Sequence, residues 1–556
     1  MATRTGIRGA FAMGGISQLM MCPRRAKGIS AVTRPQHVRV SGSIIRHPVA
    51  LDFRNNQRDS LHPLSGTRNG RAYSKSRSAM VGSMAQSASV GETAEVPNPV
   101  ALELVDFLND SWTHYHAVET SEKLLLAAGF TKLSEREEWD VQAGGKYYFI
   151  RNGTTIVAFA LGGQFKGGNG FNIVAAHTDS PCLKLKPVTA SKKSGFLKVG
   201  VQTYGGGLWY TWFDRDLSVA GRVLVRKDDG SIASQLVRID SPILRIPTLA
   251  IHLDREVNTN GFKPNTETHL APVLATSIKA ELNQTPDKSS DGPHHALLLE
   301  VLAKQLGCPI ENIEDFELNV CDTQPSAIGG ASKEFIFSGR LDNLAMSYCG
   351  LKALIEATND EAALEKETNG LMVALFDHEE VGSNSAQGAA SPVMFEAMRR
   401  ATSVLQGPGE GVLERSIRNS FLVSADMAHC LHPNYPEKHE ENHQPKMHKG
   451  LVIKHNANQR YATTAVTSFL FREIAKQQGI PMQDFVVRND MGCGSTIGPI
   501  MASGIGIRTV DVGMPQLSMH SVREMCGTDD VETSYKHFKA FFESFTAIDS
   551  TVAVDK

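Results

Sequence analysis

The stretch 371–382, LMVALFDHEEVG, constrains the fold more than any other in the chain. Its first six residues, Leu371 to Phe376, are all apolar. Such a run is too short for a typical helix and reads as a strand buried on both faces of a sheet. Asp377, His378, Glu379 and Glu380 follow at once. A buried strand that ends abruptly in charge places those groups at the sheet's rim, where open α/β sheets bind ligands. Taken alone, a Glu-Glu pair is a solvated turn. Adjacent side chains leave the backbone in different directions, however, so one glutamate can hold a metal ion while its neighbour holds a proton.

The same texture recurs along the chain. Residues 171–176 read as a buried strand that runs into His177-Thr178-Asp179-Ser180-Pro181. A strand at 335–337 leads to Gly339-Arg340-Leu341-Asp342-Asn343, then to a helix with Leu344, Tyr348, Leu351 and Ile355 on one face. An isolated Asp342 reads as that helix's N-cap. Residues 421–425 run into Asp426-Met427-Ala428-His429, and 450–453 precede Lys454. Tyr461 leads into a helix carrying Ala462, Val466, Phe469, Leu470 and Ile474. A strand at 507–512 is followed by Met519-His520-Ser521, then by a closing helix with Val531, Tyr535, Phe538, Phe542 and Phe545 on one stripe. Two helices, one around 100–108 and one at 119–128, and strands at 147–150 and 155–160 open the folded part near Asn98. The glycine-rich 491–496 lacks the lysine and the spacing of a nucleotide-binding loop.

Residues 186–330 differ in texture and read as an inserted, mainly β unit. Lys227-Asp228-Asp229-Gly230 is a hairpin turn between two β-type runs. Gly205-Gly206-Gly207 lies beside Trp209 and Trp212, 282–293 is turn-rich, and 295–306 is helical. His252, in the apolar run 249–253, reads from spacing alone as a satisfied core histidine on a strand.

Composition narrows the function. At 556 residues the chain exceeds one domain, and its 41% apolar content supports a sizeable core. A net charge of −2 lacks the basic bias of a nucleic-acid binder. No apolar run approaches the about 20 residues of a membrane helix. The eight cysteines lie singly with no CxxC, which is neither a disulfide framework nor a zinc ribbon. Any metal is therefore held by histidines and carboxylates. Residues 1–92 are Arg- and Ser-rich, with no acidic residue before Asp52. That is the signature of an organelle transit peptide, plastid before mitochondrion, and a plain disordered leader of a cytoplasmic protein is the alternative.

His177, Asp342, Glu380, Asp426 and His520 are metal-capable residues at strand ends or a helix start. Two histidines and three carboxylates form a ligand set for two divalent ions that share one carboxylate, each ion keeping an open position for water. Glu379 is placed to act as base. Asp179 is placed to accept the free N–H of His177.

HTDSP at 177–181, GRLDN at 339–343, DHEEVGS at 377–383, SADMAH at 424–429 and MHSVRE at 519–524 resemble, in this order, the motifs of the aspartyl aminopeptidases. The resemblance runs from about Asn98 to the closing helix. It implies that Asp342 bridges two zinc ions per subunit, with His177 and Asp426 on one and Glu380 and His520 on the other. It implies Glu379 as the base, and peptides with N-terminal Asp or Glu as substrates. His429, Lys454, Tyr461 and Glu379 match substrate-binding positions. His252 matches a substrate-contacting histidine that the inserted domain presents to a neighbour's site, in dimers that build a tetrahedral dodecamer.

The expected fold is a mixed α/β sheet flanked by helices, of the zinc-exopeptidase type. It divides into 97–185 and 331–556, interrupted by a β-rich dimerisation domain at 186–330. Two rivals are a dinuclear exopeptidase of other specificity and a non-catalytic shell or scaffold.

Overall fold

A computed structural model describes residues 98–282, 292–406 and 410–554. The expected leader at 1–92 and most of the turn-rich 282–293 lie outside the described residues. The central sheet has nine strands. Their spatial order is Thr131–Lys132, Lys146–Arg151, Thr155–Leu161, Gly370–Phe376, Phe171–His177, Phe421–Ala425, Arg508–Gly513, Val452–His455 and Gln483–Val486. Gly370–Phe376, Phe171–His177, Phe421–Ala425 and Arg508–Gly513 run parallel, with antiparallel neighbours on either side, so the sheet is mixed.

The unbroken apolar runs have a direct cause. Leu371, Val373 and Leu375 enter one core, while Met372, Ala374 and Phe376 enter a second core on the other face. Val174 and Ala176 divide from Ile173 and Ala175 in the same way. The first core is covered by the helices Pro99–Asp110, Leu341–Asn359, Ala465–Gln478 and Thr528–Ser550. The second is covered by Val393–Gln406 and Ile497–Ile505. A strand with helices on both faces has no solvated side, so alternation disappears from its sequence. No helix of the described residues is long and apolar enough to cross a membrane.

Register carries the site. Phe376 pairs with His177, and Ala425 pairs with Val512, so four parallel strands end along one rim. The residues that follow, 377–380 and 426, leave the sheet beside His177 itself.

A six-stranded antiparallel sheet takes its strands from between Cys182 and Asp322. A third sheet of five strands joins Ala327–Gly329, Phe335–Ser338, Glu524–Gly527, Pro515–Leu517 and Ala428–His429. It ties the loop after Asp426 to the loops around Asp342 and His520.

Some local expectations are corrected. His252 lies on a turn rather than a strand, and Leu249, His252 and Leu253 are exposed. Ile246 is the last buried residue before Pro247, and beyond it the run meets no partner strand among the described residues. The second helix begins at His114, five residues earlier than expected, because Thr113 caps it by accepting the His116 N–H. Ala462 precedes its helix, which starts at Ala465 behind a capping box of Thr464 and Thr467. Asp342 makes no cap, since Asp342 and Asn343 have non-helical backbone and no side-chain cap bond forms.

Candidate metal centre

His177, Asp342, Glu379, Glu380, Asp426 and His520 converge at the rim. His177 Nε2 lies 3.4 Å from Asp342 Oδ1 and 3.6 Å from Asp426 Oδ1. His520 Nε2 lies 3.4 Å from Asp342 Oδ2 and 3.4 Å from Glu380 Oε1. Asp342 therefore turns one oxygen toward each imidazole. In each of two donor sets, His177–Asp342–Asp426 and Asp342–Glu380–His520, the potential ligand atoms lie within 4.8 Å of one another.

Three features fit divalent cations. His177 Nδ1 is 3.0 Å from the Asp179 carbonyl and His520 Nδ1 is 2.9 Å from the Gly206 carbonyl. Each Nδ1 donates outward, which leaves Nε2 facing the carboxylates, as a metal-ligating imidazole requires. Asp342 Oδ1 and Glu380 Oε1 are buried with no hydrogen-bond donor among the described residues. The cluster also demands positive charge. Burial would lower the His520 imidazolium, yet Asp342 and Glu380 push it up to about 10. Burial and the surrounding carboxylates push Glu379 up to about 8, with His177 opposing, and hold Glu380 well above its ordinary range. Carboxylates crowded in low dielectric favour protons unless a cation neutralises them.

Glu379 and Glu380 part as their adjacent positions allow. The Glu380 side chain is 4% exposed and lies against His520. The Glu379 side chain is 15% exposed, with Oε2 3.8 Å from His177 Nε2. A third set, His177–Glu379–Glu380, shows that distance alone does not separate ligand from base.

Asp179 meets the Nδ1 of His177 and does more besides. The closer partner of His177 Nδ1 is the Asp179 carbonyl, with the carboxylate at 3.4 Å. The carboxylate accepts the Glu379 and Glu380 N–H groups, each at 3.2 Å, and the Tyr204 hydroxyl at 2.6 Å. Asp179 thus anchors the turn that carries both glutamates. Burial opposes ionisation of Asp179, but His177 and the Tyr204 hydroxyl hold it down to about 2.

On the other side of the cluster, the buried Lys454 ammonium is 3.1 Å from Asp426 Oδ2 and 5.5 Å from the centre of the Tyr461 ring. His429 packs edge-on to Phe485, and with Tyr461 it lines a cavity of about 260 Å³. His252 has no hydrogen bond or ion pair to any of these residues.

Residues 107–542 match the family model described as Aminopeptidase I zinc metalloprotease (M18). The chain belongs to this family. A probable aspartyl aminopeptidase of Ricinus communis is 62% identical over 476 residues, covering 82% of this chain and 97% of that protein. The aspartyl aminopeptidase of Dictyostelium discoideum is 52% identical, covering 81% and 98%. Among solved structures, a complex of Ape4 with Nbr1 aligns with a TM-score of 0.80 at 44% identity, covering 82% of this chain and 88% of that one. A Saccharomyces cerevisiae mApe1 dodecamer aligns at 0.72 and 33%, covering 82% and 99%. A zinc metalloprotease needs a histidine and carboxylate donor set, and this rim supplies one.

Sequence reasoning missed the groups that support the ligands. Ser347 donates to the His177 carbonyl at 2.8 Å, and Ser180 donates to the Asp342 carbonyl at 2.6 Å. Glu524 accepts the N–H groups of both Asp342 and His520. These contacts join distant segments, and no local pattern marks them. Ser180 and Glu524 lie inside the HTDSP and MHSVRE motifs, and Ser347 lies outside them. Arg340, His378 and His520 adopt left-handed backbone with φ of 62°, 63° and 66°. Such conformations in non-glycine residues cluster where a site is held under constraint.

Proposed function

We propose that this protein is an aminopeptidase that removes Asp, and also Glu, from the unblocked N-terminus of peptides, using two zinc ions per subunit. One observation carries the reading: two donor sets share the single buried carboxylate of Asp342. His177, Asp342 and Asp426 would hold one ion, and Asp342, Glu380 and His520 the other. When bound, the ions supply the positive charge that polarises the scissile carbonyl and acidifies a water.

The protein's own residues do the rest. Glu379 takes the proton from the attacking water and delivers it to the leaving amine. Asp179 keeps Glu379 in place through its backbone N–H. Lys454 receives the substrate's acidic side chain, because a buried ammonium gains a charge-assisted bond from a carboxylate and none from an apolar side chain. His429 and Tyr461 border one cavity and contact the substrate there.

The 186–330 unit serves as the dimerisation domain. Its exposed Leu249, Ile251 and Leu253 support this, since a run of large apolar residues in water marks an interaction surface. His252, in their midst, then reaches a neighbour's site within a tetrahedral dodecamer of dimers. Residues 1–92 direct the protein to the plastid, a reading that their Arg-rich, acid-poor composition supports.

The deciding experiment measures metal content and the rates on aspartyl- and alanyl-anilide, with and without a chelator. The reading requires two zinc ions per subunit, a rate ratio strongly favouring Asp, and loss of activity on chelation. Equal rates on the two anilides would leave a dinuclear exopeptidase of other specificity, and no turnover at all would leave the scaffold reading.

A further inference from the structure

Glu524 is buried, 4% exposed, on the strand Glu524–Gly527. Its carboxylate oxygens are divided between two loops. Oε2 accepts the Asp342 N–H at 3.1 Å, and Oε1 accepts the His520 N–H at 2.8 Å. Asp342 is the residue whose side chain faces both imidazoles, and His520 carries the imidazole of the second donor set. One side chain therefore links the backbone of the shared carboxylate to the backbone of a histidine ligand.

The choice of an acid here is informative. Another carboxyl buried beside an already anionic cluster is electrostatically unfavourable. A glutamine would relieve that repulsion, but it would turn an NH₂ group toward one of the two N–H donors. Only a carboxylate accepts from both. His520 also sits in left-handed backbone, φ 66°, which a non-glycine residue holds only when its surroundings impose it. The bond from its N–H to Glu524 is one such constraint.

We propose that Glu524 is a positioning residue of the dinuclear centre, a carboxylate clamp that sets the spacing between Asp342 and His520 and so forms the Asp342–Glu380–His520 cation site. This rests on the two-ion reading above.

The test uses the full-length zinc-loaded enzyme, with E524Q and E524D. Zinc affinity is measured by competition with a chromogenic chelator, alongside steady-state kinetics. In E524Q one of the two ions binds about 10–100-fold more weakly, the range expected when a group supporting a ligand is lost. kcat falls while KM changes little, and E524D, still an acid, recovers part of the loss. Wild-type affinity for both ions in E524Q overturns the proposal. Hydrogen exchange on the wild-type enzyme provides an arm that does not depend on the variants folding. Slow exchange at the Asp342 and His520 amides supports the clamp, and exchange at the rate of an unstructured chain overturns it. A wild-type enzyme that holds one zinc per subunit overturns the two-ion reading, and with it the clamp as stated; both failures are then read from the wild type alone, whereas failure of the clamp by itself is read from E524Q.

Discussion

Glu379 and Glu380 share a turn, yet Glu380 packs against His520 while Glu379, slightly more exposed, lies beside His177. Replacing Glu379 by Gln keeps the shape and removes the proposed base. Turnover of aspartyl-anilide falls about 10²–10⁴-fold, the usual contribution of a positioned proton carrier, while zinc content stays at the wild-type level. Elemental analysis beside the kinetics checks both halves. Asp342→Ala removes the oxygens facing both imidazoles, so zinc content drops at both sites together. Loss of a single ion would show that Asp342 is not shared. Lys454→Ala removes the buried cation near Asp426. A hydrogen bond to a charged group contributes about 1.5–3 kcal/mol, so kcat/KM on aspartyl substrates falls about 10–100-fold relative to alanyl ones. An equal loss on both would remove Lys454 from specificity.

The helix Leu341–Asn359 shows how an element is held to its sheet. Gly350 faces Val174, and a Cβ added there would lie 3.0 Å from Val174 Cγ1 and 4.0 Å from Val373 Cγ2. Those valines belong to parallel strands packed on both faces, which yield little. Gly350→Val is therefore overpacked and destabilises the fold by about 1–3 kcal/mol, read as a lowered midpoint in urea or heat. Asp342 lies at the start of this helix, so its displacement would carry that carboxylate with it. The elements on either face were legible because burial on two faces writes an unbroken apolar run. The helix starts at His114 and Ala465 were less so, because Thr113 and Thr464 act as caps only once their side chains find the backbone N–H groups beyond them.

Across the whole molecule, several histidines are buried as neutral rings, and they make the fold sensitive to acid. His537 is fully buried, stacked 3.9 Å from Phe471 and bonded through Nε2 to the Phe471 carbonyl at 3.0 Å. Burial lowers it to about 4, against 6.5 when exposed. The unfolded chain thus takes up this proton first. The contribution is fully present above pH 6.5, shrinks as pH falls toward 4, and amounts to about 3 kcal/mol over that window. His537→Gln, which does not titrate, flattens the fall in stability between pH 6.5 and 4, measured as urea midpoints; an unchanged slope would show that His537 is charged in the fold. The amino-acid sequence alone marked the buried strands, their charged ends and the five metal-capable residues at those ends, since each of these is written locally in apolar runs and in the residues that end them. It also showed the motifs shared with the M18 family. Tertiary structure decided what no local pattern encodes. It placed His252 on an exposed turn, made Asp179 an anchor for the Glu379–Glu380 turn, and gave Glu524 two backbone partners from separate loops. Those roles depend on hydrogen bonds between segments remote in the chain, and only the register of the sheets brings such segments within bonding distance.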